Sequence, residues 1–389
     1  MAAERRSLAQ HLANDGRPKR ILALDGGGLR GILTLGILEK IESDLRKQHN
    51  DEKLLLSDYF DLIAGTSTGA IIAAALAKGM TIARLKEKYF ELGEKVFKKD
   101  VLRKGIIRAK YDDAELKKQL RSVYGADTLL ESPELLTGLL VVTKRRDTAS
   151  WWPVGNNPRG KYFGERKTAT KQTLPNGKYP LWQVVRASTA APSFFESEEI
   201  QIGSAGTVKE KGEFVDGGMS PFNNPALMAV MYATLEGYRM NWETGADKLL
   251  VVSVGTGRAD KKVKGSFLAA GDAVTSLLGL MDDCAQLQEQ LLQWMSSSRT
   301  AREIDREVGN LENDLVAPAP LISYLRYNGD LGVDAVKAML PKLDVETIES
   351  LTKMDIPGNM DILYEIGQLT AARDVLASDF PTKFDLAPG

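Results

Sequence analysis

Gly65-Thr66-Ser67-Thr68-Gly69 stands between the run Tyr59 to Ala64, apolar but for Asp61, and the stretch Ala70-Ile71-Ile72-Ala73-Ala74-Ala75-Leu76. The first flank reads as a strand and the second as a buried helix. A strand, a sharp turn with Ser at its apex and a helix together form a nucleophile elbow. The glycines have a steric task. The turn puts Ser67 in a strained backbone conformation, and a larger side chain at Gly65 or Gly69 would meet neighbouring backbone. The helix N-terminus then offers free N–H groups, Thr68 among them, and a positive dipole end to an anion forming beside the serine.

A serine hydroxyl needs a base, usually histidine. The chain has two, His11 and His49. His11 lies in a polar N-terminal segment and His49 in Arg46-Lys47-Gln48-His49-Asn50-Asp51-Glu52, which reads as a solvated loop. Both are expected at the surface, so the base is expected to be a carboxylate. The best placed is Asp216, in Gly212-Glu213-Phe214-Val215-Asp216-Gly217-Gly218. An apolar pair ends in Asp before two glycines, as at a strand end where a side chain projects into a cleft. Free Asp, with a pKa of about 3.9, is a weak base for an alcohol. Desolvation and a hydrogen bond to Ser67 would fit it for the task. An Asx-type turn, with Asp216 bonded to its own backbone, explains the same pattern. Asp25 is a rival, since it too ends a strand before glycines.

That rival stands in Arg20-Ile21-Leu22-Ala23-Leu24-Asp25-Gly26-Gly27-Gly28-Leu29-Arg30-Gly31, a strand running into a glycine loop and then a helix from Ile32 to about Leu45. Gly26, Gly28 and Gly31 satisfy the dinucleotide pattern GxGxxG. A Rossmann-type dinucleotide-binding protein using the 26–31 loop is therefore the alternative reading. Against it, the region about twenty positions on, Lys47 to Lys53, is polar and shows no strand ending in an acid. The other use of the loop is an oxyanion hole built from the N–H groups of Gly26, Gly27 and Gly28, with Arg30 adding positive charge. One such donor is worth about 2.7–4 kcal/mol of transition-state stabilisation.

Read together, Asp25-Gly26-Gly27-Gly28-Leu29-Arg30-Gly31, Gly65-Thr66-Ser67-Thr68-Gly69 and Asp216-Gly217-Gly218 resemble, in that order, the motifs of the patatin-like phospholipases. Arg186-Ala187-Ser188-Thr189-Ala190-Ala191-Pro192-Ser193-Phe194-Phe195 is similar to a fourth family segment. The resemblance covers roughly Arg20 to Gly257. It implies an α/β fold, a three-layer α/β/α patatin-like arrangement with a mostly parallel central sheet. It implies a Ser–Asp dyad, Ser67 the nucleophile and Asp216 the base, with the Gly26–Gly28 loop as oxyanion hole and Asp25 shaping that loop. It also implies ester hydrolysis of membrane phospholipids or neutral acyl lipids through an acyl-enzyme, with no metal or cofactor. Some bacterial relatives of this type are effectors of antiviral defence switched on by a cyclic oligonucleotide, so such an activator is an expected partner. The basic loop described below is the first place to seek it.

Composition sets outer limits. With 51 Lys and Arg against 52 Asp and Glu, nothing points to a nucleic acid polymer as partner. A single cysteine, Cys284, excludes an intramolecular disulfide, and its apolar neighbours predict a buried thiol. No stretch approaches the about 18 apolar residues of a membrane-spanning helix, and Met1 to Lys19 carries no apolar signal core. The expectation is a cytoplasmic enzyme acting peripherally on the inner membrane. Residues 1–19 form a flexible arm, 20–257 the catalytic domain and 258–389 a mainly helical C-terminal portion packed on it.

Along the chain, strand and helix alternate from Arg20 to Lys98, the mark of a mostly parallel sheet. Asp112 and Glu115 form a capping box for a helix ending near Tyr124. Leu135 to Thr143 and Leu249 to Val254 read as core strands, and Pro225 to Gly237 as a helix with Pro in its first turn. Trp151 to Tyr179, rich in Gly, Pro, Asn and basic residues, reads as a loop. It suits either phosphate headgroups, with Trp151 and Trp152 at a lipid interface, or plain solvent. Leu277, Leu280, Cys284, Leu287, Leu291 and Trp294 make an a/d stripe on a helix over about 271–297. A homodimer seam and a lid over the acyl pocket are open uses; covering the main core is the expected one.

Overall fold

Ile21, Leu22, Ala23 and Leu24 are all fully buried, yet they feed two cores: Leu22 and Leu24 one, Ile21 and Ala23 the other. Successive side chains of a strand point to opposite faces, so a strand apolar throughout must be covered on both sides. That is the logic of the whole molecule. The structure is a computed structural model and describes residues 4–97, 111, 113–164, 166–167, 172–192, 194–205, 207–258 and 269–387.

Its strands are β1 (Lys19–Leu24), β2 (Leu62–Thr66), β3 (Gly138–Arg145), β4 (Trp151–Gly155), β5 (Arg166–Lys167), β6 (Gln172–Thr173), β7 (Glu198–Ala205), β8 (Val208–Asp216), β9 (Leu249–Val254), β10 (Ser296–Ser297) and β11 (Ile322–Tyr327). They form one sheet in the order β10-β11-β9-β1-β2-β3-β8-β7-β6-β5, with β4 on β3. From β10 to β3 every pairing is parallel; from β3 outward the pairings turn antiparallel. The helices are α1 (Leu8–Leu12), α2 (Gly31–Gln48), α3 (Leu56–Tyr59), α4 (Thr68–Ala77), α5 (Ile82–Val96), α6 (Asp113–Tyr124), α7 (Leu181–Ser188), α8 (Ala226–Thr234), α9 (Ala269–Trp294), α10 (Val333–Met339), α11 (Val345–Ser350) and α12 (Met360–Asp374). Buried side chains of α2, α4, α5, α6, α7 and α12 join the larger core; α8 faces the other. Helices on both faces of a mostly parallel sheet give three layers, as the sequence led us to expect.

Register places the site. The last residue of β2, Thr66, pairs with Val142 of β3, and the last residue of β8, Asp216, pairs with Thr143, the next position along β3. Two strands running in opposite directions thus bring their C-terminal ends together. Meanwhile β1, beside β2, delivers the glycine loop at its own C-terminal end. In open α/β sheets that is the end where ligands bind.

Several expectations change. Trp151 to Gly155 is a strand, not loop: it pairs antiparallel with β3, and Pro153 is tolerated because β4 has no further neighbour among the described residues. The segment expected to be a flexible arm holds α1, capped by a Ser7–Gln10 capping box, and packs into the protein. His11 is buried, its Nδ1 3.0 Å from Asp61, and His49 is half-buried. The sheet runs on past residue 257 through β11 and β10, so the C-terminal residues form part of it as well as lying on it.

The helical stripe does form a helix, but Leu280, Leu287 and Trp294 are 59%, 56% and 41% exposed. Leu292 and Gln288 face inward in their place, so the stripe does not cover the core. Cys284 is only half-buried, which corrects the expectation of an enclosed thiol. Leu277 as a side chain and the proposed cap Asp112 lie outside the described residues, as does Lys171 of the basic segment 151–179. No helix among the described residues is long and apolar enough to cross a membrane.

Candidate active site

The elbow is real. Ser67 has φ 55° and ψ −122°, a region that costs a non-glycine residue about 1–3 kcal/mol and persists only where its surroundings enforce it. They do. A Cβ on Gly69 would lie 2.0 Å from the Leu24 carbonyl oxygen, and one on Gly65 would lie 2.2 Å from that of Gly69. The strand–helix corner is therefore closed by backbone against backbone. The Ser67 N–H donates to Ser188 Oγ at 2.8 Å, and Ser188 in turn donates to the Val142 carbonyl at 2.6 Å.

Ser67 Oγ donates to Asp216 Oδ2 at 2.6 Å. The other carboxylate oxygen, Oδ1, accepts the Gly218 N–H at 2.7 Å. The carboxylate is thus divided: one oxygen makes the Asx-type turn and the other meets the serine. Asp216 is 5% exposed. Burial pushes its pKa up to about 6, against the lowering pull of the Ser67 hydroxyl, the Gly218 N–H and the Arg186 charge. A carboxylate near that value is a far better proton acceptor than free aspartate.

The glycine loop lies against this pair. A Cβ on Gly26 would come 3.1 Å from Ser67 Cβ. The Gly26 N–H is taken by the Asn223 carbonyl at 3.1 Å, whereas Gly27 and Gly28 have no acceptor for theirs among the described residues. So two of the three expected N–H donors are free. The Thr68 N–H, at the start of α4, is also without an acceptor among them. Arg30 lies across the loop, Nε 3.5 Å from the Gly27 carbonyl and Nη1 3.5 Å from that of Gly257. Gly31 packs on Tyr89 and Thr68, and Gly217 on Val142. Asp25, the rival base, is occupied: Arg326 grips both its oxygens at 2.9 and 2.6 Å.

Neither histidine approaches the serine. His11 bonds Asp61 at the opposite end of β2, about 20 Å of extended strand away from Ser67. His49 faces Asp385 at 3.7 Å. The dinucleotide reading of Gly26, Gly28 and Gly31 also fails. The strand after β1 ends in the serine elbow rather than an acid, and the Met354 carbonyl oxygen lies 2.4 Å from where a Gly28 Cβ would sit, so protein packs against that side of the loop. Among the described residues, no group of three His, Cys, Asp or Glu is placed to hold a metal ion.

Ser188 lay in plain view in the fourth motif, although its task of taking the Ser67 N–H did not. Tyr89 had no local signal at all. Its hydroxyl accepts from Thr68 Oγ1 and donates to the Gly28 carbonyl at 2.7 Å, which ties the start of α4 to the glycine loop. A strained serine on a buried carboxylate, with free N–H groups on two sides, is equipped for acyl transfer without metal or imidazole.

Comparison with known proteins agrees with that chemistry. The sequence model of patatin-like phospholipases matches residues 22–230. A cGAMP-activated phospholipase of Escherichia coli (strain TW11681) is 26% identical over 254 residues, 64% of this chain and 65% of that protein. Patatin-like protein 2 of Arabidopsis thaliana is 30% identical over 270 residues, 62% of this chain and 61% of that one. The chain thus spans under two thirds of the length of these relatives. Among solved structures, VipD from Legionella pneumophila aligns over 90% of this chain and 67% of its own at a TM-score of 0.35 and 13% identity, a likeness too loose to carry more.

Proposed function

Because this chain belongs to the patatin-like phospholipase family, we propose that it is a lipid acyl hydrolase of the phospholipase A type, cleaving membrane phospholipid esters through Ser67 and Asp216. The observation that carries the assignment of residues is the 2.6 Å hydrogen bond from the strained serine to the buried carboxylate. As Ser67 Oγ attacks the acyl carbonyl, its proton passes to Asp216. The oxyanion is stabilised by the N–H groups of Gly27 and Gly28, with that of Thr68 beside them. Collapse expels the lysolipid oxygen, which takes the proton from Asp216 and leaves an acyl-serine. Water then attacks, gives a proton to Asp216, and the fatty acid departs as Ser67 recovers that proton.

On this reading the enzyme works peripherally at the inner face of the membrane and is switched on by a cyclic dinucleotide. The support for such control is the E. coli relative named a cGAMP-activated phospholipase. Arg159 and Lys161, exposed in the loop after β4, are the cations with which an anionic activator would pair.

Fatty-acid release from mixed phospholipid vesicles, with and without a panel of cyclic dinucleotides, tests both parts. The wild type releases fatty acid, and folded Ser67→Ala and Asp216→Asn lose at least about 1,000-fold. Release that needs no nucleotide removes the switch and keeps the hydrolase. A wild type that neither releases fatty acid nor reacts with a fluorophosphonate at Ser67 removes the hydrolase.

A further inference from the structure

Around the glycine loop, nearly every backbone polar group is held. The Asp25 N–H donates to the Val254 carbonyl at 3.1 Å, and the Gly26 carbonyl accepts from Thr256 Oγ1 at 3.1 Å and Asn223 Nδ2 at 3.3 Å. The Gly27 carbonyl accepts the Arg30 N–H at 3.3 Å. The peptide joining Gly28 to Leu29 is gripped at both ends: its carbonyl takes the Tyr89 hydroxyl at 2.7 Å, and its N–H donates to the Met354 carbonyl at 2.8 Å. A trans peptide is planar with N–H opposite C=O, so holding a carbonyl also aims the N–H that follows it. The two that remain free, Gly27 and Gly28, are therefore aimed by their neighbours.

Two supports, Arg326 and Met354, come from far along the chain, in its last quarter and well outside the family match at 22–230. Arg326, on β11, binds Asp25 with both terminal nitrogens and also donates from Nη1 to Ser253 Oγ at 2.8 Å. The fork-on-carboxylate geometry fixes direction as well as distance. It holds Asp25 at the point where β1 turns into the loop. Met354, between α11 and α12, presses on the far end: Gly28 has φ +59°, and no side chain fits there beneath the Met354 carbonyl.

We infer that Arg326 and the Met354 carbonyl are positioning groups for the oxyanion loop, so that the chain's last quarter sets the aim of Gly27 and Gly28 N–H toward a developing negative charge. The inference rests on the hydrolase reading above. Arg326 touches no substrate; it acts through Asp25.

The test uses the full chain. Arg326→Gln lowers kcat on phosphatidylethanolamine–phosphatidylglycerol vesicles by about 10- to 100-fold, with KM within about threefold, since a misaimed donor costs the transition state and not the ground state. Arg326→Lys keeps the charge without the fork and regains about tenfold of the loss. Rates are taken per folded molecule, so a loss of stability alone leaves kcat where it was. If Arg326→Gln does not fold, Asp25→Asn with Arg326→Gln removes both buried charges and shows the same fall. Exchange of the Leu29 amide, faster in either variant, reads the loop without any substrate. Folded variants with wild-type kcat and unchanged Leu29 exchange overturn the inference. All rates are taken with the cyclic-dinucleotide panel present, and a wild type with no turnover and no fluorophosphonate labelling under those conditions overturns the hydrolase reading instead, so that amide exchange decides the positioning alone.

Discussion

Asp216 divides its two oxygens between the turn that shapes it and the serine it faces, and it does so away from water. The arrangement has a thermodynamic cost with a definite sign. The unfolded chain ionises this group near 3.8, the folded chain only near 6. Between those values the folded protein holds a proton that the unfolded one has lost, so this group's contribution to stability falls as pH rises through that window. A shift of about 2 units corresponds to about 3 kcal/mol, fully felt above pH 6. Asp216→Asn is therefore expected to melt at higher temperature and denaturant than the wild type at pH 8, while losing turnover. The gain shrinks below pH 6 and is gone near pH 4. Equal stabilities at pH 8 would contradict this. The pattern Asp216-Gly217-Gly218 pointed to the residue because tight turns need small neighbours. That one oxygen serves the turn while the other meets Ser67 is a fact of three dimensions, and only the fold reveals it.

At the next scale, the end of α7 braces both halves of the pair. Ser188 accepts the Ser67 N–H, and the Ala190 carbonyl accepts the Asp216 N–H at 3.0 Å. Ser188→Ala leaves a buried N–H without its partner, which costs about 1–3 kcal/mol. Denaturant titration should show that loss, and single-turnover kinetics a slower acylation by about tenfold, because the serine is no longer held at its strained angle. Unchanged acylation would mean that the flanking glycines suffice. Elements with one dominant local signal were readable in advance: β1, β2, β9 and α4 each hold a continuous apolar run (Ile21–Leu24, Leu62–Ala64, Leu249–Val252 and Ala70–Ala77), and α8 follows its proline. β4 was missed because Pro153 and the glycine and asparagine after it look like loop. The edge position that makes a proline harmless is not written locally. For α9 the stripe revealed the helix and not the side that would be covered, since the covering surface comes from residues elsewhere.

Over the whole molecule, the end of the sheet opposite the site is closed by Asp61. It is fully buried; burial pushes its carboxyl up, but the Arg20 charge, the His11 hydrogen bond and the Arg6 charge outweigh that and hold it far below the usual carboxylate range. Arg20 reaches it through both backbone N–H and Nε, at 2.9 and 3.0 Å. Asp61→Asn strands two buried guanidinium groups and is expected to cost about 3–5 kcal/mol. Since Asp61 lies at the far end of β2 from Ser67, kcat per folded molecule should stay within about twofold of wild type; a larger fall would show that strain travels along β2. Partnerships like these escaped the sequence because each joins single residues with no pattern around them. That of Asp25 and Arg326 joins residues 301 apart. A ribosome makes the chain from one end only. While it does so, β1 has β2 on one edge and nothing on the other until Leu249–Val254 emerges, and the glycine loop lacks its arginine for longer still. On the hydrolase reading, the nascent chain therefore spends most of its synthesis with the glycine loop unbraced, and activity is expected only once the last quarter has been made.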